Sequence, residues 1–120
     1  MITGGTLEEL GYYDPPKSEP TYSEWVEGKI MTEGHDRLVE NTLGLVGEAG
    51  EVAEKIKKQI RDSSRFTNDD IAKELGDVIF YAAALGNIFG HTLESIIELN
   101  MDKLDGREAR GTLKGSGDDR

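Results

Sequence analysis

Two segments of the chain carry one short pattern: Leu45-Val-Gly-Glu48-Ala-Gly-Glu51-Val52, and later Ile71-Ala-Lys-Glu74-Leu-Gly-Asp77-Val78. In each, two carboxylates stand three residues apart, a glycine precedes the second, and the surrounding apolar residues keep the same offset. At about 100° per residue the two acids of a pair lie roughly 60° apart on a helix, on one flank of its apolar stripe. The same register on two helices restricts the fold, because an antiparallel helix hairpin can turn both flanks toward a common cleft. No strand pattern competes anywhere in the chain.

The rest of the sequence supplies the helices around that hairpin. Residues 1–20 hold all three prolines, Pro15, Pro16 and Pro20, with no helical period, and are expected to form an irregular arm. Thr21-Tyr-Ser-Glu24 has capping-box form and opens a short helix with Trp25, Val26 and Ile30, expected to end at Gly34. The longest helix is expected from about Asp36 to Asp62, with Leu38, Leu45, Ala49, Val52, Ile56 and Ile60 on one stripe. Ser63-Ser64 and Thr67-Asn68 mark a turn. Thr67, with Asp70 three residues on, caps a third helix that carries Ile71, Leu75, Val78, Ala82, Leu85 and Phe89 inward and stops near Gly90. Thr92 caps a fourth, with Leu93, Ile96, Ile97, Met101 and Leu104. After Gly106 the apolar period is lost, and 111–120 is expected to be an irregular tail. The fold class is all-α: a single four-helix bundle-like domain over residues 21–110.

The acids carry the chemistry. One i,i+3 acid pair on a helix is ordinarily solvated surface, but a second pair in the same register, again with its glycine, is not expected of mere surface. Gly50 and Gly76 are expected to permit close approach of a helix or ligand, at a cost of about 1 kcal/mol each relative to Ala. Glu48, Glu51, Glu74 and Asp77 would repel one another if bare. Mg²⁺ or Mn²⁺, hard ions that prefer carboxylate and water oxygens, would relieve that repulsion and leave coordination positions for a phosphate. The pattern therefore points to a metal-dependent enzyme acting on a phosphate ester or anhydride.

Charge and composition narrow the partners. A net charge of -10 disfavours binding to a nucleic-acid backbone, which draws on Lys and Arg. There is no cysteine, so neither a disulfide framework nor a zinc-thiolate site is available. Neither a signal peptide nor an apolar run long enough to span a bilayer is found, and the expectation is a cytoplasmic protein with no membrane partner. A chain of 120 residues builds one modest core, so burial by homo-oligomerisation is expected. His35 and His91 flank helix ends and are not expected to act as catalysts. No P-loop or EF-hand pattern occurs.

Glu48-x-x-Glu51 followed by Glu74-x-x-Asp77 resembles the metal signature of the all-α nucleoside triphosphate pyrophosphohydrolases. This is the MazG-like superfamily, which also includes dimeric dUTPases, dCTP pyrophosphatases and phosphoribosyl-ATP pyrophosphohydrolases. Leu43-Gly-Leu-Val-Gly-Glu-Ala-Gly-Glu51 and Glu74-Leu-Gly-Asp-Val-Ile-Phe-Tyr81 are closest to the MazG-like branch, and the resemblance spans about Trp25 to Arg107. It implies hydrolysis of a nucleoside triphosphate between the α and β phosphorus atoms, giving the monophosphate and pyrophosphate, with Mg²⁺ or Mn²⁺ as cofactor. It also implies a homodimer or homotetramer of helical bundles.

Asn100-Met-Asp-Lys103-Leu-Asp-Gly-Arg107 resembles the Asn-x-x-Lys-Leu-x-x-Arg segment that follows the metal helices in this family. Asn100 then has a substrate oxygen, a sugar hydroxyl or a buried structural group as its partner, Lys103 a phosphate, and Arg107 the outer edge of a triphosphate site. The resemblance also makes Lys57 or Lys58 a phosphate candidate, while Lys55, Lys57 and Lys58 read by spacing alone are surface partners of the acids before them. Asn41, one turn before Leu45, could read a base or ribose, and Trp25 and Tyr81 could stack on a base or belong to the core. Glu48 or Glu51 is the carboxylate expected nearest the attacking water. The base is expected to be a purine on a deoxyribose. The alternative is an acidic helical oligomer that has lost catalysis and binds a partner, or a module that senses a cation or nucleotide without turnover.

Overall fold

The computed structural model describes residues 19–62 and 65–111, which form four α-helices and, among the described residues, no strand. They are α1 Tyr22–Glu27, α2 Gly34–Arg61, α3 Asn68–Ile88 and α4 Leu93–Ala109. The expected arm, the Ser63-Ser64 turn and the expected tail lie outside the described residues, save for Glu19, Pro20 and Gly111.

Three threonines start helices as their side chains predict. Thr21 Oγ1 accepts from the Glu24 N–H at 3.2 Å, and Thr92 Oγ1 accepts from the Ser95 N–H at 3.1 Å. Thr67 completes a reciprocal capping box: its Oγ1 accepts from the Asp70 N–H at 3.0 Å while its own N–H donates to Asp70 Oδ2 at 2.9 Å. The hydrogen bonds from Thr67, backbone first, hold the Asp70 carboxyl below the ordinary carboxylate range.

The end of one helix differs from expectation. α1 stops at Gly28, and Gly34, with φ +63°, is the first residue of α2 rather than the end of α1. α4 runs to Ala109, and Gly111 beyond it adopts φ +71°, the left-handed turn that glycine permits at a helix end.

α2 and α3 form a long antiparallel hairpin, α1 packs on α3, and α4 meets α3 sparingly. Within one chain the four helices are thus a hairpin with two attachments rather than an evenly closed bundle. The glycines that allow close packing are Gly44 and Gly86, not Gly50 and Gly76. The Tyr81 ring lies directly over Gly44, and a Cβ on Gly86 would come within 2.6 Å of Ile96 Cδ1, whereas Gly50 and Gly76 face open space.

The fully buried apolar residues are Val26, Ala83 and Ala84, with Tyr22, Ile30, Phe80 and Leu93 packed against them. This core sits where α1 crosses the C-terminal half of α3. Buried Ser23 ties the junction together: its Oγ accepts from the Leu93 N–H at 2.8 Å, and its carbonyl accepts from Asn87 Nδ2 at 3.0 Å. The expected apolar stripes are only partly used. Ile56, Ile60, Leu75, Phe89, Ile97, Met101 and Leu104 all remain exposed. No described helix is long and apolar enough to cross a membrane.

Candidate functional site

The hairpin register sets the site. With Gly44 beneath Tyr81, Glu48 one turn along α2 comes level with Asp77 one turn back along α3. Glu48, Glu74 and Asp77 each offer a carboxylate oxygen, and the three oxygens lie within 4.8 Å of one another. Burial, and then the charges of Asp77, Glu74 and Glu51, push the Glu48 carboxyl above its ordinary range. Three hard oxygen donors with no thiolate or imidazole among them, mutually repelling when bare, suit Mg²⁺ or Mn²⁺.

Glu51 does not join this group. It is exposed on α2 beyond Glu48 and acts on it only as the weakest of the three neighbouring charges.

Lys55 pairs with one member of the cluster. Its Nζ lies 3.5 Å from Glu74 Oε1 and 4.6 Å above the centroid of the Phe66 ring. Lys57 instead pairs with Glu54 at 3.3 Å on an exposed face, and Lys58 is exposed near the C-terminal end of α2. The sequence alone had no means of ranking these lysines, because the partners that single out Lys55 lie across the hairpin.

A hollow of about 270 Å³ opens beside the acids, lined by Glu48, Asp77, Phe80 and Tyr81. Phe80 and Tyr81 meet edge to face at 5.3 Å, Phe80 meets Trp25 the same way at 6.1 Å, and Trp25 stacks on Tyr22 at 5.7 Å. Lys29 Nζ lies 5.4 Å above the Trp25 ring. Tyr22, which sequence reasoning missed, comes close enough to the cluster that Asp77, after burial, helps to push its phenol up. The signal available was the spacing of Tyr22 and Trp25, which puts both rings on one face of α1.

Asn41 lies one turn before Gly44 and is 1% exposed, and among the described residues its Nδ2 has no hydrogen-bond partner. A buried amide left this way costs about 1–3 kcal/mol, so the site is one that a polar ligand atom would satisfy. Asn100 and Lys103 line a different hollow, with His91, Ile96 and Leu99, and Arg107 is buried on α4. None of these three α4 residues lines the hollow at Glu48 and Asp77.

A family model for the MazG nucleotide pyrophosphohydrolase domain matches residues 37–111, which include both acid pairs. The chain is 46% identical over 83 residues to the Gene 37 protein of Mycobacterium phage L5, covering 66% of this chain and 73% of that protein. No solved structure matches the chain.

Proposed function

The chain belongs to the MazG nucleotide pyrophosphohydrolase family, and from that premise we propose that it hydrolyses a nucleoside triphosphate at the α-β phosphoanhydride, releasing the monophosphate and pyrophosphate. The observation that carries this reading is the meeting of Glu48, Glu74 and Asp77 oxygens within 4.8 Å across the hairpin, beside an aromatic-lined hollow.

Glu48, Glu74 and Asp77 would hold Mg²⁺ or Mn²⁺. Such an ion, when bound, lowers the pKa of a water and offsets charge on phosphate oxygens. Glu51, exposed and one short turn from Glu48, takes the proton as the water oxygen bonds to phosphorus, and the bridging oxygen leaves with the electrons of the broken P–O bond. Glu48 can share that role. Phe80 and Tyr81 border the nucleoside, and Asn41 supplies its amide to base or ribose. The substrate is read as a purine deoxynucleoside triphosphate.

We also propose a homo-oligomer, dimer or tetramer. Its support is the contrast, among the described residues, between three buried apolar residues and the run of exposed ones along α2, α3 and α4. Asn100, Lys103 and Arg107 then serve nucleotide from α4 of the same or a neighbouring copy, and Lys57 and Lys58 stay candidates for the outer phosphates.

The deciding experiment is a panel of ribo- and deoxynucleoside triphosphates with Mg²⁺ or Mn²⁺, run in ¹⁸O water, with products separated. The expected products are monophosphate and pyrophosphate, with label in whichever carries the attacked phosphorus. Diphosphate and orthophosphate as primary products would refute the assigned bond, and metal-dependent binding with no turnover would favour a sensing module.

A further inference from the structure

The acid cluster has two unlike ends. Along the hairpin, Gly44 and Tyr81 come first, then Glu48 and Asp77, then Glu74, and beyond it Lys55 and Phe66. From the level of Gly44 to that of Lys55 on α2 is about 16 Å at 1.5 Å per residue. One end is the wall of Phe80 and Tyr81, with Trp25 and Lys29 outside it, and the other is Lys55 on the face of Phe66 and paired with Glu74, a member of the acid cluster, with the other carboxylates between.

We infer that the cleft fixes the direction of its substrate: the nucleoside lies toward Phe80 and Tyr81, and Lys55 anchors the pyrophosphate end beyond Glu74. The inference rests on the proposed pyrophosphohydrolase reading and adds to it a polarity and an anchoring residue. Aromatic faces suit a sugar and base, and cannot compensate phosphate charge. Lys55 can. It pairs with Glu74, a member of the cluster, and the 3.5 Å separation is longer than a strong charge-assisted hydrogen bond. The ammonium lies between Glu74 and the Phe66 face, and its three N–H donors leave some to give to a phosphate oxygen.

The two reaction products separate the two ends, because each carries one. Binding of inorganic pyrophosphate and of deoxyadenosine monophosphate is measured calorimetrically at saturating Mn²⁺ for wild type, Lys55→Met and Lys55→Arg, with Mn²⁺ binding measured alone for each. Lys55→Met should raise the pyrophosphate Kd about tenfold or more, while the Kd values for monophosphate and Mn²⁺ stay within about twofold. Lys55→Arg, which keeps the charge, should recover most of the loss. Equal weakening of both products, a loss confined to the monophosphate, unchanged pyrophosphate binding, or loss of Mn²⁺ binding would each overturn the inference, the last by reducing Lys55 to a support for Glu74. These outcomes stand apart from the proposed function, since binding is read without turnover. A wild type that binds pyrophosphate through Lys55 yet cleaves no triphosphate would defeat that reading and leave the polarity intact.

Discussion

The two halves of α3 meet their neighbours in opposite ways. In the C-terminal half, polar groups are answered: Asn87 donates to the Ser23 carbonyl and to Glu27 Oε1, and Ser23 Oγ receives the Leu93 N–H. These bonds surround the buried Val26, Ala83 and Ala84. In the N-terminal half, Glu74 and Asp77 face Glu48, like charge against like, with Lys55 as partial relief. One half holds the helices together and the other gives up stability to keep acceptors in place for a cation, a local conflict of the kind that marks functional sites. The same helix thus serves as scaffold and as reaction surface, two turns apart.

The largest expected effect tests whether the conflict is functional. Asp77→Asn or Glu48→Gln should lower kcat on the order of 10²-fold or more, because each removes an ionised oxygen donor from the cluster. Circular dichroism should show the helices intact. Full turnover in both variants would falsify the site assignment.

At the other half the same scale of change should appear in stability instead. Ser23→Ala leaves the Leu93 N–H without its acceptor at a part-buried position and should cost about 1–3 kcal/mol in urea denaturation. Turnover per folded molecule should be unchanged. A variant of normal stability and poor turnover would mean that α1 acts on the cleft and not merely on the scaffold.

The two halves should also respond to pH with opposite sign. Glu48 is raised by burial and by Asp77, Glu74 and Glu51. In metal-free protein its contribution is fully present below the unfolded-state value and is lost as pH climbs through the raised folded one, since the native state there binds the extra proton. Glu27 is lowered, chiefly by its hydrogen bonds from Arg37. Its contribution is present above the ordinary carboxylate value and is lost as pH falls through the depressed one. Thermal melts in chelator should show Glu48→Gln raising Tm by a few degrees above that window, roughly 2–5 °C, and removing the falling limb. If wild type and Glu48→Gln run parallel across the window, the carboxylates do not repel as their geometry requires.

The smallest effect belongs to the exposed pair. Arg37→Ala should cost about 0–1 kcal/mol, and less in high salt, because solvent screens a partner as open as Glu27. A larger, salt-independent loss would place Arg37 among the scaffold contacts with Ser23.

Much of the fold was legible in the sequence because its signals are local. A threonine at a helix start can accept the backbone N–H three residues on, and Thr21, Thr67 and Thr92 each do so. Helix ends read from glycine alone were less secure. Gly34, expected to end α1, makes a left-handed turn but uses it to open α2. The apolar stripes were visible as periods, but period does not say what covers a face, and Ile60 remains 80% exposed.

By itself the sequence determined the all-α class, the helix starts and the paired acids in register on α2 and α3, because each depends on spacing within one helix. Tertiary structure decided what lay across from what. It gathered Glu48 with Glu74 and Asp77 and left Glu51 outside, paired Lys55 with Glu74 across the hairpin, put Gly44 rather than Gly50 at the close approach, and brought Tyr22 toward Asp77. Helical spacing fixes the angle of a side chain about its own axis. The rotation and register of one helix against another come from packing, and at this site Tyr81 over Gly44 is the contact that sets them.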